Sequence, residues 1–276
     1  MLASSNVVYC AIDDLISPLH KGLTGFPEFL DALANAGIPC VWVTSRTRQQ
    51  LDASLRKFGH SGPFIGEGGS AVFLPADYFH LKSPQTLRLG RFTCIPVASP
   101  QPAAAQALDA LAEDTRASIV PLRSLTPREL SHNVGLPQRE AELVRQRDFD
   151  ELFFFAGVSS SDTQAFRQEA LRRKLALRPR GSLWSLGVGC NLATCIRELS
   201  TLFERAAHRH LSNVGISTSS DAQELSKVCD RFVFLADRES RAGPDLLSGR
   251  SSVKTVPLFS RDSWQAALDA IGWKRR

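Results

Sequence analysis

The chain has 276 residues, enough for one large domain or two smaller ones with their own cores. Hydrophobic residues make up 43% and charged residues 22%, an ordinary globular balance, and no apolar run approaches the ~20 residues of a membrane-spanning helix. The net charge of +5 arises from basic side chains scattered among acids, without interleaved aromatics, which argues against a nucleic-acid binder and for a mildly basic surface that favours anions.

The opening "MLASSNVVYC" lacks the basic flank and apolar segment of a secretory signal, so a cytoplasmic address is expected. The six cysteines (Cys10, Cys40, Cys94, Cys190, Cys195, Cys229) form no C-x-x-C pair, and several sit in apolar runs. Buried free thiols are expected rather than a disulfide framework or a zinc site.

In chain order, "VVYCAI" is an apolar strand that runs into the adjacent acids Asp13 and Asp14. "FPEFLDALANAG" places Phe26, Phe29, Leu30 and Leu33 at helical spacing before Gly37. "IPCVWVTS" is a second strand ending in hydroxyls, "RTRQQLDASLRKFG" a second amphipathic helix, and "PFIGEGGSAVFLP" two short strands around a glycine-rich turn. Strand, helix and strand at this spacing imply right-handed crossovers and a parallel sheet. From about Tyr78 the pattern changes to an α+β unit with a Pro-rich break, an Ala-rich helix and a capping box, Thr126 with Glu129, in "LTPRELSHNVG". "DELFFF" is an aromatic strand within it, followed by a helix and two more strands. The last third returns to α/β alternation, with "NLATCIRELSTLFERAA", "SNVGIS", "SSDAQELSKVC", "RFVFLAD" and a closing helix; residues 237–252 read as a surface loop.

Ligands of doubly wound sheets bind beyond the carboxyl ends of the strands. Three such loop ends carry chemistry here: "AIDDL", "TSRT" and "GISTSSD". An acidic loop, a hydroxyl loop and a Gly/Ser/Asp loop suit phosphoryl transfer through an aspartyl-phosphate.

With these loops and with "VTSRTRQQL", "PFIGEGGSAVFLP", "LTPRELSHNVGLPQREAELVRQRDFDELFFF" and "RGSLWSLGVGCN" in order, the chain resembles the haloacid dehalogenase (HAD) superfamily, and within it the mannosyl-3-phosphoglycerate phosphatases. The resemblance implies an α/β fold: a HAD-like Rossmannoid core of residues 1–77 and 188–276, with an α+β cap of residues 78–187 inserted in it. It also implies a D-x-D-G-T motif at the first strand end, whose first Asp is the nucleophile and whose second is the acid. This chain reads Ala11-Ile12-Asp13-Asp14-Leu15, so the nucleophile position is Ala11 and the acid position, Asp13, is retained. Thr44, with Ser45 and Arg46, matches the phosphate-binding hydroxyl motif; a strand-ending Thr44 also suits a helix cap. Leu192 stands where the family has a charge-neutralising Lys, and Ile216 at the first acid of the metal motif. Arg147 matches a basic cap residue placed to grip a carboxylate or phosphate. The family's G-G-R becomes Arg180-Gly181-Ser182, and its E-N-G becomes Glu67-Gly68-Gly69.

The implied reading is a non-catalytic pseudophosphatase that binds a partner protein or an anionic phosphorylated small molecule and needs no cofactor. The alternative is a phosphatase of sugar-phosphate or phosphoglycerate esters, with Mg2+ held by Asp13 and Asp221. A third reading, a binder of anionic polymers, rests only on the isoelectric point of about 9.0.

Overall fold

The computed structural model describes residues 4–16, 25–79, 86–157, 159–218, 222–236, 253–257 and 262–272. The larger of its two sheets begins with β1 (Asn6–Ala11), α1 (Phe26–Asn35), β2 (Cys40–Val43), α2 (Arg48–Lys57), β3 (Phe64–Gly66) and β4 (Ala71–Pro75), then β5 (Leu87–Leu89) and β6 (Phe92–Pro96). After a long excursion the chain returns with α7 (Leu192–Ala207), β11 (Ser212–Ser217), α8 (Ala222–Val228), β12 (Arg231–Ala236), β13 (Val253–Pro257) and α9 (Ser263–Ala270). The strand order is β13-β12-β11-β1-β2-β3-β4-β6-β5. Pairing is parallel from β13 through β3 and antiparallel from β3 through β4 and β6 to β5.

The period-2 alternation of β1 divides the core between the sheet's two faces. Val8, Cys10 and Ile12 join Phe26, Phe29, Leu51, Leu55 and Trp264, from α1, α2 and α9. Val7, Tyr9 and Ala11 face the other way, into a cluster with Leu192, Ile196, Leu199 and Phe203 of α7 and Leu225 of α8. A helix layer on each face explains why β1 is apolar throughout, with both of its sides buried.

The excursion forms a four-stranded antiparallel sheet, β7-β8-β10-β9, from β7 (Ile119–Pro121), β8 (Asp150–Phe155), β9 (Leu175–Arg180) and β10 (Leu183–Val188). One cluster packs α3 (Gln101–Thr115) and α6 (Ser160–Arg172) on this sheet through Leu108, Phe153, Phe166 and Leu186. A second, with Leu122, Leu130, Ala141, Val144 and Leu152, joins α4 (Pro127–Val134) and α5 (Gln138–Val144) to it. The capping box at the head of α4 forms as its sequence requires: Thr126 Oγ1 accepts from Glu129 N, and the Glu129 carboxylate accepts from Thr126 N.

Two sequence expectations need correction. The α+β unit was expected to start at about Tyr78, but β5 and β6 hydrogen bond onto β4, so Leu87–Pro96 extends the larger sheet. The expected parallel sheet is present from β13 through β3; beyond it β3 turns directly into β4 through Glu67–Ser70, and this hairpin connection gives antiparallel pairing. The cap of α2 is Thr47, whose side chain accepts from Gln50 N at 3.1 Å while Gln50 reaches back to Thr47 N, leaving Thr44 to other partners. The strand β13 follows the run read as a loop; residues 237–252 themselves lie outside the described residues.

All six cysteines are free thiols. Burial pushes the thiols of Cys40 and Cys94 up to about 12, so neither is an activated nucleophile.

Candidate functional site

The loops after β1, β2 and β11 meet at the carboxyl edge of the larger sheet, where a parallel sheet places its ligand site. Asp13 lies in the turn following β1, which is tied to β2 by Ile12 N donating to Val43 O at 3.0 Å. Its carboxylate is engaged with the second loop through both oxygens. The Thr44 hydroxyl donates to one oxygen, and Ser45 N (2.7 Å) and Ser45 Oγ (2.5 Å) donate to the other. Arg46 Nε stands 3.8 Å away. Asp14 accepts from the hydroxyl of Thr218, just beyond β11. Thus Asp13, Thr44, Ser45 and Arg46 form one cluster, in which the hydroxyls and the amide serve a carboxylate of the chain itself.

The floor beneath them is apolar. Ala11 ends β1 with 3% of its surface exposed, and Leu192 opens α7 with 6%, both in the same hydrophobic cluster. The two positions where the resemblance expects a carboxylate and an ammonium therefore hold side chains that bury together. The backbone holds the head of α7 close against the turn after β3. Gly69 (φ +91) accepts from Asn191 N at 2.9 Å, and a Cβ there would lie 2.7 Å from Leu192 N, so only glycine permits this approach of α7. Ile216 is buried inside β11, paired with Cys10, on the opposite face of the sheet from Ala11.

Arg147 comes from the segment before β8. Its guanidinium donates to both oxygens of Asp150 and, through Nη2, to Ser45 O at 2.8 Å. Burial works against its charge, yet the carboxylates of Asp150 and Glu67 hold its pKa above the ordinary value. It is a strut between the two sheets as well as a wall of the site.

Beside it stands a residue that the sequence offered only as part of a turn. Glu67 is 1% exposed and adopts the left-handed conformation (φ 48), which sends its side chain across to the second unit. There its carboxylate accepts from three successive amides, Asp148 N (2.9 Å), Phe149 N (2.9 Å) and Asp150 N (3.1 Å). Burial pushes the carboxyl up to about 8, opposed by the Arg147 charge and by the amide donors. Arg48 Nε to Asp148 (2.8 Å) and Thr47 Oγ1 to Leu143 O (3.2 Å) complete the clamp. The signal was an acid between an apolar strand and two glycines; nothing local announces a partner some eighty residues away.

A cavity of about 210 Å³ opens between these groups, lined by Asp13, Ser45, Arg46, Arg147 and Arg180 on its polar side and by leucines and Val144 on the other.

Among the described residues, a divalent ion fits poorly. Mg2+ asks for several hard oxygen ligands in near-octahedral order. The Asp13 oxygens already accept three hydrogen bonds, Asp14 serves Thr218, and the described residues contain no group of three His, Cys, Asp or Glu side chains able to hold a metal. Asp221, the second metal ligand expected from the sequence, lies outside the described residues.

A HAD-superfamily phosphatase from Bacteroides thetaiotaomicron superimposes with a TM-score of 0.63 at 16% identity, over 97% of this chain and 95% of that one. A HAD subclass IIB sugar phosphatase gives 0.63 at 13% identity, over 97% and 99%. The fold is that of the HAD superfamily. Among curated proteins, the chain is similar to the glucosyl-3-phosphoglycerate/mannosyl-3-phosphoglycerate phosphatase of Methanococcoides burtonii, 29% identical over 45% of this chain and 46% of that one. The enzyme of the same description from Persephonella marina is 25% identical over 69% of each. The mannosyl-3-phosphoglycerate phosphatase of Pyrococcus furiosus is 24% identical over 54% of this chain and 60% of that one. The chain thus spans about half to two thirds of the length of the curated relatives it matches. No family model matches. Among the described residues, no helix of this HAD-fold chain is long and apolar enough to cross a membrane.

Proposed function

We propose that this chain is a non-catalytic HAD-fold protein, similar to mannosyl-3-phosphoglycerate phosphatases, that works by binding rather than by phosphoryl transfer. The observation that carries the reading is that Ala11, at the end of β1, and Leu192, at the head of α7, are both buried in one apolar cluster. A covalent route needs a carboxylate there to attack phosphorus and a cation to offset the charge that builds up; a methyl and an isobutyl group do neither. Losing either group costs on the order of 3 kcal/mol of barrier or more. Asp13 offers no replacement, because its oxygens are turned into the Thr44–Ser45 loop.

The second unit, α3 through β10, serves in this reading as a cap held closed over the site. A protein partner is favoured over a phosphorylated metabolite, since the donors that would receive a phosphate already receive Asp13.

A second reading, a Mg2+-dependent phosphomonoester hydrolase, draws support from the names of the curated relatives and from the Mg2+ use general to HAD phosphatases. The test is release of inorganic phosphate from a panel of phosphomonoesters, including mannosyl- and glucosyl-3-phosphoglycerate, with Mg2+ present. The expected rate equals the buffer blank. Turnover that vanishes in Asp13→Asn would establish the hydrolase instead.

A further inference from the structure

We infer that the groove on the second unit between α6 and β9 docks an extended acidic and aliphatic segment of a partner protein, which adds to β9 as a further strand. Among the described residues β9 is the outermost strand of its sheet, paired only with β10, in register from Leu175 with Val188 to Arg180 with Leu183. Its outer side therefore presents main-chain donors and acceptors, the template on which an added strand forms. The usable length is short. Pro179 has no amide, and Arg178 is held by both carboxylate oxygens of Glu224 (3.0 and 3.1 Å), which ties that end of β9 to α8. Leu175 to Leu177 remain for pairing.

Beside this stretch α6 keeps one face open. Gln164, Arg167, Gln168 and Leu171, three and four residues apart, border a cavity of about 340 Å³ whose other wall is Leu175 and Leu177. Leu171 is 77% exposed; the only other exposed large hydrophobic among the described residues is Leu87, at the far end of the larger sheet. A single exposed leucine needs no explanation, but this one shares a groove with two half-buried leucines of an edge strand.

Charge selects the occupant. Arg172 and Arg173 share Glu169, and Arg173 also reaches Asp114. Arg167, whose guanidinium lies 5.7 Å from the centre of the Trp184 ring, and Lys174, just before the edge, form no ion pair among the described residues. A second copy of this chain is a poor occupant. Antiparallel pairing of two β9 edges about Ala176 would bring Lys174 of each copy opposite Arg178 of the other, and like charges across a strand pair repel. An acidic strand alternates its side chains: aliphatic groups enter the groove over Leu171, Leu175 and Leu177, and carboxylates meet Arg167 and Lys174. The groove shares no lining residue with the cavity at Asp13 and Arg147, so the inference goes beyond the non-catalytic reading and stands apart from it.

The experiment is fluorescence anisotropy of a fluorescein-labelled heptapeptide of alternating Glu and Val, titrated with the full chain. Saturable binding is expected, at least tenfold tighter than that of a Lys/Val or a Glu/Ser heptapeptide. Leu171→Ser, an exposed position whose change leaves the circular dichroism as it was, should weaken binding at least fivefold, and so should Arg167→Gln. Methylating alternate backbone nitrogens of the peptide should weaken it at least tenfold, because strand addition needs those amides. No saturable binding of the Glu/Val peptide, or equal binding by Leu171→Ser, would overturn the proposal, and equal binding of the methylated peptide would overturn strand addition. A wild-type dimer in sedimentation equilibrium that Leu171→Ser dissociates would give the groove to a second copy and overturn it as well. Phosphate release by the wild type would refute the non-catalytic reading and leave the groove standing, so the two failures are distinct.

Discussion

Two regions a few residues apart in the fold have treated charge in opposite ways. At the floor of the site, Ala11 and Leu192 stand where the resemblance expects opposite charges, and the vacated positions have become core. Just above, Glu67, Arg147, Asp148 and Asp150 keep a dense set of ionisable groups with nearly every oxygen occupied. Ionic groups thus persist where they join the two sheets and line the cavity, and give way to apolar side chains only at the floor formed by Ala11 and Leu192. A buried ion pair is costly unless fully satisfied, and this clamp meets that condition through backbone amides.

The comparison breaks first at the clamp. Glu67→Ala should strand three buried amides and loosen Arg147, lowering stability by about 3–5 kcal/mol, read as a fall in the urea midpoint. A change of less than about 1 kcal/mol would mean that the amides find other acceptors and that the clamp is dispensable. At the floor, Ala11→Asp should cost about 2–4 kcal/mol at pH 7, because it puts an unpaired carboxylate into an apolar cluster. Adding Leu192→Lys should recover at least about 1 kcal/mol in a double-mutant cycle, the signature of two positions that face one another. Zero coupling would contradict the shared floor.

The smallest expected effect lies on the opposite face of the larger sheet and sharpens the contrast, since its titrating group is a structural one. His60 stacks on Trp42 (ring centroids 4.4 Å apart, 9° between planes). Burial lowers its pKa to about 4 from the ordinary 6.5, partly offset by the Pro63 carbonyl. The folded state thus prefers the neutral ring. This contribution is complete above pH 6.5 and is lost as the pH falls toward 4, on the order of 1–2 kcal/mol once partial exposure is allowed for. His60→Gln should flatten that stretch of the stability–pH curve relative to the wild type.

Most of the architecture could be read from periodicity. Phe26, Phe29, Leu30 and Leu33 are the buried stripe of α1, and the alternation of β1 divides its residues between two helix layers. What escaped detection is where periodicity is weak. Strands β5 and β13 lie at the two sheet edges, with only Val256 fully buried between them, so no apolar run marks them. With β5 unmarked, nothing in the sequence pointed to Leu87–Pro96 pairing back onto the larger sheet. In the site, the identities of Ala11 and Leu192 could be read directly, but the partner of Asp13 could not. Whether an acid after a strand faces solvent, metal or a neighbouring loop depends on which loops the topology brings beside it. Likewise, nothing near Glu67 in sequence points to the amides of 148–150.

The central claim of the proposed reading is that the end of β1, where Ala11 and Leu192 share an apolar cluster, holds no side chain placed to accept a phosphoryl group. It is tested most directly by incubating the protein with a radiolabelled phosphomonoester and Mg2+, quenching in acid, and counting label bound to the chain. The account predicts none above a heat-denatured control. A stoichiometric, base-labile label that disappears in Asp13→Asn would contradict it.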